Sequence, residues 1–72
     1  MIDTNKFRAI IIERNTSIEE ISSKLGVNKS TIYRKLQQNG DTFTLKEVNI
    51  IAQTLNLTIN EMIKIFFANY VA

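Results

Sequence analysis

The side chains best suited to binding chemistry in this chain are the cationic ones between residues 21 and 40. Lys24, Lys29, Arg34 and Lys35 lie there without any Asp or Glu, so the segment carries a charge of +4. Residues 1–20 and 41–72 each carry −1, which gives the whole chain +2. Positive charge concentrated in one segment is expected of a surface that faces phosphate groups. The competing interpretation is an ordinary solvated helix face.

The composition argues against catalysis and metal binding. The 72 residues include no His and no Cys, so the commonest general base, the commonest metal ligand and the thiolate are all missing. Glu19 and Glu20 are adjacent, and adjacent helical residues do not face one another, which excludes a paired catalytic acid. We therefore expect no enzyme, no metal site, no cofactor and no small-molecule ligand.

The N-terminal segment is charged, and no apolar run approaches the 18 residues that a membrane span requires. These two features predict a cytoplasmic protein that makes no contact with a membrane. The 12 Ile, 8 Asn and 6 Lys residues all use AT-rich codons, which indicates a bacterial host cell of low GC content or its phage.

Helix signals organise the chain into one domain over residues 1–72. Apolar residues recur with helical spacing, and the period-2 alternation of strands is absent. Suitable N-cap residues begin five helices, and three of them have Glu three residues later as in a capping box. They are Asp3 or Thr4, Ser17 (with Glu20), Asn28, Thr44 (with Glu47) and Thr58 (with Glu61). The sequence predicts an all-α fold of five short helices, with the last helix over about 58–70.

Residues of about 17–38 have the pattern of two helices joined by a short turn. Such helices cross steeply, so a small residue is needed where they approach and a residue tolerant of positive φ is needed at the turn. Ser22 and Gly26 meet these two needs. Apolar anchors stand at the required spacing, at Ile21, Leu25, Val27 and Ile32. The second and third helices are thus predicted to form a helix-turn-helix.

This stretch, followed by FTLKEVNIIAQTLNLTINEMIKIFF, resembles the lambda-repressor-like (Cro/C1-type) helix-turn-helix family and its small phage regulators. The resemblance covers nearly the whole chain. It implies that the third helix enters the major groove of double-stranded DNA. The implied DNA-binding residues are Lys29 and Ser30 at the first recognition positions, Arg34 one turn later, Asn28, Thr31, Tyr33 and Gln37 as flanking contacts, and Ser17 at a phosphate.

Two positions depart from the family pattern. Ile18 stands where the family often has a Gln that braces a phosphate contact. Lys35 stands where an apolar anchor usually follows Ile32, and Leu36 comes one residue later. Either the third helix is slightly rotated, or Lys35 extends its ammonium group out to solvent.

The C-terminal helix contains more apolar residues than one core-facing stripe needs. Ile59, Met62, Ile63, Phe66 and Tyr70 would suffice for the core. Ile65, Phe67 and Val71 then lie off this stripe, which predicts a protein–protein surface. A homodimer on a palindromic operator is one use of it. The alternative is that these side chains pack back on the first helix.

The leading hypothesis is a small phage or prophage transcriptional regulator that binds operator DNA in a lysis/lysogeny-type genetic switch. The alternative is an antirepressor, similar to phage modulators of repression, that binds a partner repressor protein and blocks its DNA binding. A weaker alternative is the DNA-binding part of a recombinase, because STIYRKL also resembles a resolvase recognition helix.

Overall fold

The computed structural model describes residues 2–38 and 43–68. Five α-helices and no strand occur within these ranges, which confirms the predicted all-α fold. The helices are α1 (Thr4–Glu13), α2 (Ile18–Leu25), α3 (Lys29–Gln37), α4 (Leu45–Leu55) and α5 (Ile59–Phe66). The turn expected at residues 39–41 lies outside the described residues.

Side-chain caps begin four of the five helices for which the sequence predicts them, and the exception is α3, where Asn28 makes no capping hydrogen bond. Asp3 accepts a hydrogen bond from the Lys6 backbone N–H, and complete capping boxes begin α4 and α5. At α2, Ser17 Oγ accepts from the Glu20 N–H. The expected return bond is absent among the described contacts, because the Glu20 carboxylate accepts from Thr16 Oγ1 instead, at 2.9 Å.

The core lies where all five helices meet. Its fully buried large side chains come from the first four helices and are Phe7, Ile21, Ile32, Ile51 and Leu55. Phe7 stands at the centre of an aromatic group, with its ring 6.4 Å from that of Phe43 and 5.9 Å from that of Phe66. Aromatic pairs at these separations add about 0.5–1.5 kcal/mol beyond their burial. One continuous core therefore holds the α2–α3 pair in a defined orientation.

The buried face of α5 differs from the predicted one. Ile65, expected at an exposed protein interface, is only 3% exposed, and its carbonyl accepts a hydrogen bond from the Asp3 N–H at 2.7 Å. Phe67 is half-buried against the core. Ile59, expected in the core, is 73% exposed. The helix is rotated so that Met62, Ile65 and Phe66 face inward, and α1 packs against it.

The predicted exposure of Ile65 is therefore wrong, since this side chain lies in the core and α1 packs against α5. Phe67, which is half-buried, stays a predicted interface residue. Val71 lies outside the described residues. The helix also ends at Phe66 rather than near residue 70, since the backbone of Phe67 leaves the helical region, with φ −123° and ψ 33°.

Arg14 directly follows α1 and connects this helix with the end of α4 and the start of α5. Its Nη1 donates to the carbonyls of Leu55 and Asn56, at 2.8 and 2.7 Å, and its Nη2 donates to the Glu61 carboxylate. The two carbonyls close α4, and Glu61 belongs to the capping box of α5. A planar guanidinium can bind the carbonyls and the carboxylate at the same time because its N–H donors are held in a fixed planar arrangement. This contact fixes the α4–α5 corner against the end of α1.

Candidate nucleic-acid interface

The turn between α2 and α3 has the geometry that the sequence predicts. Gly26 ends α2 in the left-handed region with φ 73°, and the Val27 N–H bonds to the Ser22 carbonyl at 3.0 Å. Ser22 is buried, and its hydroxyl donates to the Glu19 carbonyl at 2.8 Å. A small side chain with an internal hydrogen-bond partner lets the two helices approach without leaving a polar group unsatisfied. The turn thereby sets the angle at which α3 projects from the domain.

One face of α3 is polar and exposed. Ile32 and Leu36 point into the core. Five exposed residues share the other side with helical spacing: Lys29, Ser30, Tyr33, Arg34 and Gln37. The structure therefore brings most of the predicted DNA-binding side chains onto one surface, here called the α3 face and defined by these five residues. Side chains that can hydrogen-bond to base edges and phosphates dominate it.

Three further predicted contacts lie at the margin of this face or away from it. Asn28 is exposed at the N-cap position of α3, but its side chain makes no capping hydrogen bond. Its amide thus remains available to an external partner. Thr31 is half-buried, and the Ser17 hydroxyl already accepts the Glu20 N–H at the start of α2.

Lys35 does not contribute to the α3 face. Its Nζ lies 2.8 and 3.1 Å from the two carboxylate oxygens of Glu47 and 5.3 Å from the centre of the Phe43 ring. The side chains of Lys35 and Glu47 are 15% and 18% exposed. At this departure from the family pattern the structure has an ion pair with α4: Leu36 is buried as Ile32 is, and the Lys35 ammonium group lies against a carboxylate rather than in open solvent.

The same contacts change the acidity of Glu47. Burial by itself raises the pKa of this carboxyl, but the hydrogen bonds from Lys35 and from the Thr44 backbone, with the charge of Lys35, outweigh burial and lower the pKa from its ordinary value of 4.5. Glu47 is consequently ionised at neutral pH. It neutralises one of the four charges of the 21–40 segment and leaves Lys24, Lys29 and Arg34 exposed.

An apolar groove borders the α3 face where α1, α2 and α3 meet. It has a volume of about 200 Å³ and is lined by Arg8, Ile11, Ile12, Ile18, Tyr33 and Leu36. Ile18 thus stands in a lipophilic groove, which accounts for an apolar residue where the family often has Gln. Tyr33 covers the edge of the groove and is 47% exposed. The sequence pattern predicted no role for Arg8 and Ile12 of α1, although their spacing of four residues places them on one helix face.

Other kinds of site find no support among residues 2–38 and 43–68. No three or more acidic, His or Cys side chains are gathered there as a metal ion would require. Within the same part of the chain, every helix is too short or too polar to cross a membrane.

Comparison with known protein families gives one result. The family model of the Cro/C1-type helix-turn-helix DNA-binding domain matches residues 6–67. No curated protein and no solved structure gives a significant match. The matched range includes α2, α3 and the turn between them, as well as the α4–α5 region that completes the core. The chain therefore belongs to the Cro/C1-type helix-turn-helix family of DNA-binding domains.

Proposed function

We propose that this DNA-binding regulator is encoded by a phage or prophage and inserts α3 into the major groove of an operator, as part of a lysis/lysogeny-type switch. The observation that carries the proposal is the α3 face, on which Lys29, Ser30 and Arg34 are exposed opposite the buried Ile32 and Leu36. Operator binding would take place in the cytoplasm of the bacterial host.

The residues of this surface have different proposed roles. Lys29 and Ser30, in the first turn of α3, read base edges, because the N-terminal part of a recognition helix penetrates the groove most deeply. Arg34 lies one turn later and binds a guanine edge or a phosphate. Five residues supply the flanking contacts, in part to the DNA backbone: Ser17, Asn28, Thr31, Tyr33 and Gln37.

The test is a fluorescence-anisotropy titration of the protein against a duplex spanning its own promoter region, at two salt concentrations. Lys29→Ala and Arg34→Ala should each weaken binding by about 1–3 kcal/mol if the lost contact is a bidentate one to a base. The matched control is Lys64→Ala, which removes the same charge from an exposed position on α5. Affinity should fall with salt by about 0.9 log units per log unit of salt for each phosphate neutralised.

Equal affinity in the Lys29, Arg34 and Lys64 variants would refute the assignment of the α3 face. The antirepressor alternative is tested in the same titration by adding the repressor encoded next to the gene. The sequence places partner binding, and a homodimer, at Ile65, Phe67 and Val71, and the burial of Ile65 removes the main support for that surface. Release of the repressor from DNA, by a chain that itself binds DNA weakly, would replace the proposed function with the alternative.

A further inference from the structure

A carboxylate of α2 stands at the edge of the α3 face. Glu19 Oε1 lies 3.6 Å from Lys29 Nζ, and the two side chains are 75% and 60% exposed. Three other ion pairs of the described residues join Asp3 to Lys6, Arg14 to Glu61 and Lys35 to Glu47. None of these three involves a residue of the α3 face. The Glu19–Lys29 pair therefore brings negative charge to the position where the proposed function places DNA.

The pair is too exposed to matter much for folding. Exposed ion pairs contribute about 0.2–1 kcal/mol, and salt weakens them. Glu19 does not cap a helix through its side chain, since Ser17 and Glu20 make the hydrogen bonds at the start of α2. The negative charge of Glu19 is favourable near the N-terminus of α2, but Glu20 already supplies a negative charge in the same turn. The fold thus gains only a small stabilisation from a carboxylate at this particular place.

The pair has a larger consequence when DNA approaches. A DNA phosphate would bind the Lys29 ammonium group, but Glu19 already forms an ion pair with this group. The carboxylate also repels phosphates directly. Any DNA duplex offers phosphates, whereas only a matching sequence offers a base-edge acceptor positioned at Lys29. A phosphate contact at Lys29 brings a second anion up against Glu19 and is therefore penalised on all DNA. An uncharged base-edge acceptor avoids this repulsion, because it can share the three N–H donors of the ammonium group with the carboxylate.

We propose that Glu19 is a specificity-determining residue, which competes with phosphate for Lys29 and so weakens binding to non-operator DNA more than binding to the operator. The proposal rests on the proposed function, since it requires α3 to contact DNA. It assigns Glu19 no direct contact with a base, and its effect passes through Lys29.

The experiment compares Glu19→Gln with Glu20→Gln, each made with Lys29 present and with Lys29→Ala. Glu20→Gln is a matched control because it removes the same charge from the same helical turn, while the Glu20 carboxylate faces Thr16 rather than Lys29. Kd is measured over a salt series for the promoter duplex and for a duplex of the same composition in shuffled order. Thermal unfolding of each variant checks that the fold is retained.

We expect Glu19→Gln to tighten binding to the shuffled duplex by about 1.4- to five-fold, the range that an exposed ion pair allows. Binding to the promoter duplex should tighten less, so the ratio of the two affinities falls. The salt dependence on the shuffled duplex should steepen by up to about 0.9, because Lys29 becomes free to neutralise a phosphate. With Lys29→Ala, the effect of Glu19→Gln should shrink to that of Glu20→Gln.

Two results would overturn the proposal: equal effects of the two Gln substitutions with Lys29 present, or an effect of Glu19→Gln that persists unchanged with Lys29→Ala. Failure of the proposed function has a different signature. In that case Lys29→Ala alone leaves the affinity for the promoter duplex unchanged, whatever the Glu19 variant does.

Discussion

At the scale of single residues, Lys35 shows how a charged side chain can occupy an apolar position of the motif. Its ammonium group reaches the Glu47 carboxylate over the Phe43 ring, so the charge is paired and the aliphatic stem stays inside. Glu47 at the same time accepts the Thr44 N–H that begins α4. A single carboxylate thus connects the end of α3 to the start of α4.

This arrangement predicts an acid-sensitive contribution to stability. The folded-state pKa of Glu47 lies below its ordinary value of 4.5, so the contribution is present above that pH and is lost as pH falls through the folded-state pKa. The pKa of Glu61 is also lowered, first by the Thr58 backbone N–H and then by Arg14. Both carboxyls make the protein less stable in acid.

Glu47→Gln should lower the free energy of unfolding by about 1–2 kcal/mol at neutral pH, because it removes the ion pair and weakens the cap. The difference from the unmodified protein should shrink as pH falls below 4.5. Urea denaturation between about pH 7 and about pH 3 measures it. Glu13→Gln, at an exposed position of α1, is the control and should change little. A difference that stays constant with pH would disprove the role given to the carboxylate.

At the scale of elements, the helix starts and the α2–α3 turn depend on local chemistry. Gly26 has φ 73°, and a Cβ built there would meet nothing within 4 Å. Any cost of a side chain at this position therefore comes from the backbone conformation alone. Among residues 2–38 and 43–68, Asn15 and Asn56 adopt similar angles, with φ 55° and 54°. Asn tolerates the left-handed region better than other residues with a side chain.

We expect Gly26→Ala to lower the free energy of unfolding by about 1–2 kcal/mol and Gly26→Asn to lower it by less. The two variants add side chains to the same open space, so their comparison isolates the backbone term. Urea denaturation at neutral pH gives both values. Equal losses, or a larger loss for Asn, would mean that something other than the left-handed conformation limits this position.

At the scale of the whole molecule, the small core makes each large buried side chain important. A domain of 72 residues has a stability of only about 4–11 kcal/mol. Ile65 and Ile59 are the same residue type on the same helix, but the first is 3% exposed and the second 73%. They provide a matched pair for testing how α5 is oriented.

Ile65→Ala should lower the free energy of unfolding by about 2–5 kcal/mol, a large share of the total. Ile59→Ala should change it by no more than about 0.5 kcal/mol. Thermal unfolding at low protein concentration measures both without a contribution from association. If Ile65 were instead a surface residue, Ile65→Ala would leave unfolding unchanged and would alter only the concentration dependence of sedimentation.

Local interactions made much of the molecule predictable. Caps depend on residues three positions apart, the turn depends on the one residue type that adopts positive φ freely, and helical periodicity depends on neighbours within two turns. The helix-turn-helix and the α3 face follow from these, because the burial of Ile32 determines which side of α3 is exposed.

Only the tertiary structure decided which residues from distant parts of the chain meet. Arg14 binds carbonyls 41 and 42 residues away, and Lys35 binds a carboxylate 12 residues away. The rotation of α5, which buries Ile65, depends on how α1 packs against it. Helical periodicity could not predict this rotation, since the short α5 carries apolar side chains on more than one face. Such contacts depend on how whole helices pack against one another, and the residue pattern within one helix does little to determine that packing.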